Sequence, residues 1–263
     1  MGMNLIVAQK LWELYNDGEL KDCKSVLELG PHGLGAVARQ DIYARFATER
    51  FGDCDKVRKF KADGYDENGN IRSMAQRDFY RLFGFDEYRS IDLSDDNADY
   101  RLNLNDPIKL DRKFDMIADY GTSEHLFNIG QAFASTYNLL RPGGIAYYQL
   151  PVMGLIHHGL YNIHTELYYS LAAAGYYEII KMDYFHALQT YFTAGSRKAK
   201  RLEDNLDIPA GHDIRQGDAR HMTLGFYAAD IWQALRGKDR TSATVIVALK
   251  KIDDKPFVFP QQS

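Results

Sequence analysis

The sequence predicts an α/β fold built on a doubly wound, mostly parallel sheet with helices on both faces. Three observations predict it. Short apolar runs alternate along the chain with stretches of helical period. The first of these runs ends in a glycine-rich turn that leads into a helical stretch, the layout of a strand-to-helix connection. Residues 142–165 contain no Lys, Arg, Asp or Glu, yet Gln149, Pro151, His157, His158 and Asn162 interrupt them. A bilayer would leave those polar groups without partners, so the segment reads as a buried strand followed by a polar loop.

Leu5, Ala8, Leu11, Trp12 and Tyr15 recur at helical spacing and give an N-terminal helix over 4–17, before Gly18. Ser25-Val26-Leu27-Glu28-Leu29 is the first strand, and residues 36–46 have helical character. The pattern loosens over 48–87, read as an insertion in which Asp66-Glu67-Asn68-Gly69-Asn70 caps a hairpin and 74–83 forms a short helix. Strands follow over 88–93, 99–104 and 113–120. A helix then runs from about Glu124 to Leu140 and stops at Arg141-Pro142-Gly143-Gly144. Residues 145–150 form the fifth strand, and a helix over 167–174 ends at Gly175. Strands over 177–185 and 244–252 complete a seven-stranded sheet with an antiparallel edge strand and an insertion over 186–243. The chain thus reads as one domain over 1–263.

Composition sets the outer limits. The 263 residues are 45% hydrophobic and 26% charged, which excludes disorder. Thirty-two Lys and Arg against 36 Asp and Glu leave a net charge of −4, which gives nucleic acid no basic footprint. Cys23 and Cys54 form no C-x-x-C pair, so neither a disulfide framework nor a thiolate zinc site is expected. The first ten residues lack the basic lead and apolar stretch of a signal peptide, so a cytoplasmic protein without a membrane segment is expected.

The glycine-rich turn reads Gly30-x-x-Gly33-x-Gly35. It is neither the G-x-G-x-x-G of dinucleotide binders nor a P-loop, and by itself it is equally an ordinary strand-to-helix turn. Four features nevertheless occur in a fixed order: Val26-Leu27-Glu28-Leu29-Gly30, Asp92 after the next strand, Phe114-Asp115-Met116-Ile117-Ala118-Asp119, and Leu139-Leu140-Arg141-Pro142-Gly143-Gly144. In these the sequence resembles the class I S-adenosylmethionine-dependent methyltransferases, with their Rossmann-like methyltransferase fold. Gly121-Thr122-Ser123-Glu124-His125-Leu126-Phe127-Asn128 and His158-Gly159-Leu160-Tyr161-Asn162 narrow the resemblance to methyltransferase-domain proteins of sugar and surface-glycan biosynthesis. It spans about 25–251, outside 48–87 and 186–243.

The resemblance implies S-adenosyl-L-methionine as cofactor, with S-adenosyl-L-homocysteine as product. Glu28 and the main chain of Gly30, Gly33 and Gly35 would surround the methionine moiety. Asp92 would accept from the ribose hydroxyls, with Asp95 or Asp96 as alternatives, because 48–87 separates Asp92 from the loop by more than the usual spacing. Asn103 and Leu104 would bracket the adenine, and Asp119 and Tyr120 would stand near the sulfonium. Many relatives have glycine where this chain has His32 and Leu34.

Methyl transfer to a hydroxyl also needs a proton acceptor. His125, at the start of the predicted helix, would be held neutral by the helix dipole and could act as base or simply pack locally. His157, His158 and His164 crowd the loop after the fifth strand, where ligands of open α/β sheets bind, and His158 is the second candidate. Asp119, Glu124, His125 and His158 offer metal donors, but no compact signature joins them, so no metal is expected. Tyr147, Tyr148, Tyr161, Tyr168 and Tyr169 could face a sulfonium or sugar ring, or fill the core. Ser196, Arg197, Lys198, Lys200 and Arg201 form a basic patch suited to a phosphorylated acceptor or to solvent.

The expected partner is therefore a small hydroxylated molecule such as a sugar or nucleotide-activated sugar, bound by a monomer or homo-oligomer and placing the protein in carbohydrate biosynthesis. Two alternatives stay open: an NAD(P)-dependent oxidoreductase on a related sheet, and a non-catalytic S-adenosylmethionine-binding partner protein.

Overall fold

The computed structural model describes residues 2–34, 41–154, 158–186, 190–191, 200–201 and 242–260. Parity of side chains builds the molecule. Along β1 (Ser25–Leu29), Val26 joins one apolar cluster and Leu27 and Leu29 the other. The same alternation separates Met116 and Ala118 from Ile117 on β3 (Phe114–Asp119), and Ile145 and Tyr147 from Ala146 and Tyr148 on β4 (Leu140–Gly154). A strand with both faces apolar is covered on both sides, and so it is here. Helices α1 (Leu5–Asn16), α2 (Ile42–Phe51), α3 (Asp55–Gly64) and α4 (Gln76–Leu82) pack on the first face. Helices α5 (Ile129–Leu139) and α6 (Glu166–Ala173) pack on the second.

With β2 (Glu87–Ile91), β5 (Tyr177–His186), the two-residue strands β6 (Thr190–Tyr191) and β7 (Lys200–Arg201), and β8 (Ser242–Lys251), the sheet order is β2-β1-β3-β4-β8-β5-β6-β7. Strands β2, β1, β3 and β4 are mutually parallel, and β8 is antiparallel to both β4 and β5. This is the doubly wound, mostly parallel sheet with an antiparallel edge that the sequence predicts, with one correction. The two late strands, β5 and β8, form that antiparallel edge, and β8 stands between β4 and β5 with Val245, Val247 and Leu249 on one face and Ile246 and Ala248 on the other, so both layers can cover it. The strand expected over 99–104 is reduced to one parallel bridge, Ile91 to Tyr100. There the Asp99 carboxylate turns back to accept from the Ser90 backbone N–H (2.9 Å), and Asn103 begins a turn. Among the described residues six strands therefore reach five residues or more.

The insertion over 48–87 is part of the first helical layer. Phe46, Phe60 and Phe83 each contact the Phe79 ring, with centroids 5.3–5.9 Å apart. The turn at Asp66 closes a single antiparallel bridge between Tyr65 and Ile71, and its Oδ1 accepts from the N–H groups of Asn68 and Asn70. Much of 186–243 lies outside the described residues. No described helix is long and apolar enough to cross a membrane.

Candidate functional site

From β1 the chain passes to β2 on one side and then to β3 on the other, so the connections leave in opposite directions at the β1/β3 boundary. In open α/β sheets the crevice outside the carboxyl ends of the strands at such a point is where ligands bind. Gly30 follows β1 with φ +75°, a left-handed conformation that suits glycine, and its N–H donates to Ile91 O at the end of β2 (2.8 Å). A Cβ there would overlap Thr122 Oγ1 and come within 2.8 Å of His32 Cε1. Thr122 Oγ1 donates to Leu29 O (2.6 Å) and lies 3.2 Å from His32 Nε2, tying the loop after β1 to the loop after β3. Among the described residues Gly33 has nothing within 4 Å of where a Cβ would stand. Gly35 lies outside the described residues.

Asp92, just beyond β2, receives Ser94 N–H (2.7 Å), Ser94 Oγ–H (3.0 Å) and Asp95 N–H (2.9 Å), all on Oδ1. Burial pushes its pKa up, but the Ser94 and Asp95 N–H groups outweigh that and leave it below the usual value. It thus stays ionised, with Oδ2 available for a diol. The alternatives are otherwise engaged: Asp95 accepts from Asn97, and Asp96 pairs with Arg101 (2.9 Å). Asn103 Oδ1 is taken by Asn105, and Leu104 is 4% exposed in the second apolar cluster, so its side chain is core rather than a wall for adenine.

Glu28 is fully buried on the face of the sheet that carries Tyr80, Tyr88 and Tyr120. Its Oε2 accepts from Tyr88 OH, and Gln76 Nε2 donates to the same phenol (3.3 Å). Glu28 Oε1 has no partner. Burial pushes its pKa well above the usual carboxylate value, against the Tyr88 hydrogen bond, which lowers it. Tyr120 is likewise core, its hydroxyl 2.7 Å from Tyr80 OH and its ring edge-on to Tyr147. Their strand parity turns both side chains toward the first helical layer.

Asp119 has the opposite parity and ends β3. Its carboxylate accepts from the N–H groups of Gly121 (3.2 Å), Thr122 (2.8 Å) and Ser123 (3.3 Å) and so shapes the loop that follows. Pinned in this way, the chain makes a separate 3-10 turn (Ser123–His125) before α5 starts at Ile129. His125 therefore does not stand on the first turn of a long helix, and burial, not a helix dipole, lowers its pKa. Burial also lowers His158, with neighbouring His125 adding to it.

These two rings meet with centroids 4.9 Å apart at 70°. Beside both lies Glu124, fully buried, with neither carboxylate oxygen hydrogen-bonded among the described residues. Its Oε1 is 3.6 Å from His158 Nε2 and 3.9 Å from His125 Nε2. Burial, reinforced by the Asp119 charge, pushes its pKa to about 7. The loops are clamped by Leu160 and Tyr161 N–H groups donating to Glu124 O (2.8 and 3.1 Å) and by Gly159, where a Cβ would lie 2.9 Å from Glu124 Cγ. His157 lies outside the described residues, and His164 Nδ1 accepts locally from Glu166 N–H. Tyr147, Tyr148 and Tyr168 are core, while Tyr161 and Tyr169 reach the surface. The side chains of the basic patch fall outside what the structure describes.

Thr122 and Glu124, inside the segment that carries the resemblance, become visible as the loop tie and the cluster's centre only in three dimensions. Tyr88 gave no signal in the sequence beyond a strand-forming aromatic.

No family model matches the chain, and no curated protein matches it. Among solved structures it is similar to the Burkholderia thailandensis 1,6-didemethyltoxoflavin-N1-methyltransferase bound to 1,6-didemethyltoxoflavin and S-adenosylhomocysteine, at 11% identity and TM-score 0.44, covering 94% of this chain and 78% of that one. It is also similar to DesVI of Streptomyces venezuelae (15% identity, TM-score 0.32, 54% of this chain and 49% of that one). A third is the sugar N-methyltransferase KedS8 from a Streptoalloteichus species (12%, TM-score 0.29, 54% and 46%). The chain spans about half the length of the latter two.

Proposed function

We propose that this chain is an S-adenosylmethionine-dependent methyltransferase acting on a small hydroxylated acceptor such as a sugar or sugar nucleotide. One observation carries the reading: an ionised strand-end carboxylate (Asp92), bare main chain at Gly33, and a cluster of buried carboxylate and neutral imidazoles lie at the carboxyl ends of adjacent parallel strands. The donor set fits the cofactor. Asp92 Oδ2 suits the ribose diol, and the main chain at Gly33, in the loop that Gly30 turns, suits the amino-acid tail. When bound, the cofactor supplies an electrophilic methyl group on a sulfonium.

The chain's own residues do the rest. Asp119 and Thr122 fix the loop between the two halves of the crevice. His125 and His158, neutral through burial, hold basic nitrogens toward an acceptor hydroxyl. Either ring nitrogen would take the proton that the acceptor hydroxyl gives up when it is methylated.

Calorimetric titration with S-adenosylhomocysteine tests the binding half. Saturable binding is expected, none with NAD, and Asp92→Asn should weaken it at least tenfold by removing a charge-assisted pair of hydrogen bonds. Binding of NAD instead would overturn the reading. Mass spectrometry after incubation with S-adenosylmethionine and a panel of phosphorylated sugars then tests for a product heavier by one methyl substitution. Cofactor binding without any such product would favour a non-catalytic role.

A further inference from the structure

We propose that Glu124, His125 and His158 form a binding site for one first-row divalent metal ion, Zn2+ foremost. The site stands on geometry and does not depend on the methyl-transfer reading. One carboxylate oxygen and two imidazole nitrogens offer ligand atoms that all lie within 4.8 Å of one another. The contacts at 3.6 and 3.9 Å are too long for hydrogen bonds yet close enough to share an ion. With metal–ligand bonds of about 2.0–2.1 Å, donors around a tetrahedral ion stand about 3.3–3.4 Å apart, so the two contacts to Glu124 close by about half an ångström or less and the widest pair of the set by up to about 1.5 Å, within reach of side-chain rotation.

Glu124 is the second observation. A fully buried carboxylate with both oxygens unpartnered is costly in a folded protein, and a cation between it and the imidazoles removes that cost. The His125 and His158 side chains are 43% and 32% exposed, so the cluster stands at the surface although Glu124 and His158 Nε2 are buried, and three protein ligands leave a fourth tetrahedral position to water or an acceptor. Two nitrogens and one oxygen favour a transition ion over Mg2+ or Ca2+. The sequence has no compact signature because the ligands come from the loops after β3 and β4, which the Glu124 O and Gly159 contacts press together.

The use of such an ion, acidifying an acceptor hydroxyl in its open position, rests on the methyl-transfer reading. A bound ion would take both ring nitrogens as ligands and would supply Lewis acidity to the acceptor oxygen, the base role of the imidazoles belonging to the metal-free chain.

The test uses the chelator-stripped full chain without cofactor or acceptor, titrated with Co2+ by visible absorption and with Zn2+ by calorimetry. One ion per chain is expected, with Co2+ d–d absorption displaced by Zn2+. His125→Ala, His158→Ala and Glu124→Gln should each weaken binding at least tenfold, and His164→Ala should leave it unchanged. His125 is exposed enough that its truncation does not threaten folding, which keeps the test decisive if Glu124→Gln fails to fold. Absence of saturable binding, or binding unaltered in both histidine variants, overturns the site. S-adenosylhomocysteine titration of the same samples separates the two ideas: cofactor binding without metal binding removes only the site, and metal binding without cofactor binding removes only the methyl-transfer reading.

Discussion

Glu28 and Glu124 are both fully buried, both near the carboxyl edge of the sheet, and both raised in pKa by burial. Glu28 is answered by a phenol from β2 and stands among aromatic side chains, a polar group absorbed into the core. Among the described residues no group hydrogen-bonds the Glu124 carboxylate, and the two imidazoles that could answer it stop beyond hydrogen-bonding distance. Burial alone therefore does not mark a functional carboxylate. What marks it is burial with its oxygens left open toward groups that converge from another loop, since such an arrangement has a free-energy cost that only a ligand offsets.

Substitutions can break or sharpen that contrast. The largest effect is expected at the open carboxylate: Glu124→Gln should lower kcat for methyl transfer at least 100-fold while leaving the thermal unfolding midpoint close to that of the parent, as steady-state kinetics and calorimetry would record. A fall in midpoint with turnover retained would make Glu124 structural, like Glu28. Next comes the loop tie. Gly30→Ala forces a side chain into a left-handed backbone and into Thr122, and should cost about 2 kcal/mol in denaturant unfolding. Thr122→Ala should restore part of that by removing the clash.

Smaller still is the answered carboxylate. Tyr88→Phe leaves Glu28 without its donor and should cost about 1 kcal/mol of stability, with kcat unchanged.

A separate effect is one of pH. His32 is held down to about 4 by burial, against 6.5 for an ordinary imidazole. The unfolded chain therefore binds more protons between those values, so stability is full above about 6.5 and is lost as pH falls toward about 4. His32→Asn should flatten that part of the stability curve, and an unchanged slope would show that the ring is not enclosed beside Thr122.

Much of the architecture was legible beforehand. The N-terminal helix, first strand, uncharged fifth strand and helix before Gly175 follow from period and punctuation, which depend on neighbouring residues. The 99–104 strand did not survive, because Asp99 finds Ser90 and Arg89 across space and no local pattern encodes that. Tyr120 looked like a site residue because it follows Asp119, yet one step along a strand reverses the face.

By itself the sequence determined which segments are strands and helices, that both sheet faces are apolar, and which short stretches carry polar chemistry, since each of these is written in residue type and spacing. Tertiary structure decided which carboxylate is answered and which is open, that β8 lies within the sheet, and that His125 and His158 flank Glu124. Those outcomes depend on distances between residues far apart in the chain, and such distances are set only when the layers pack.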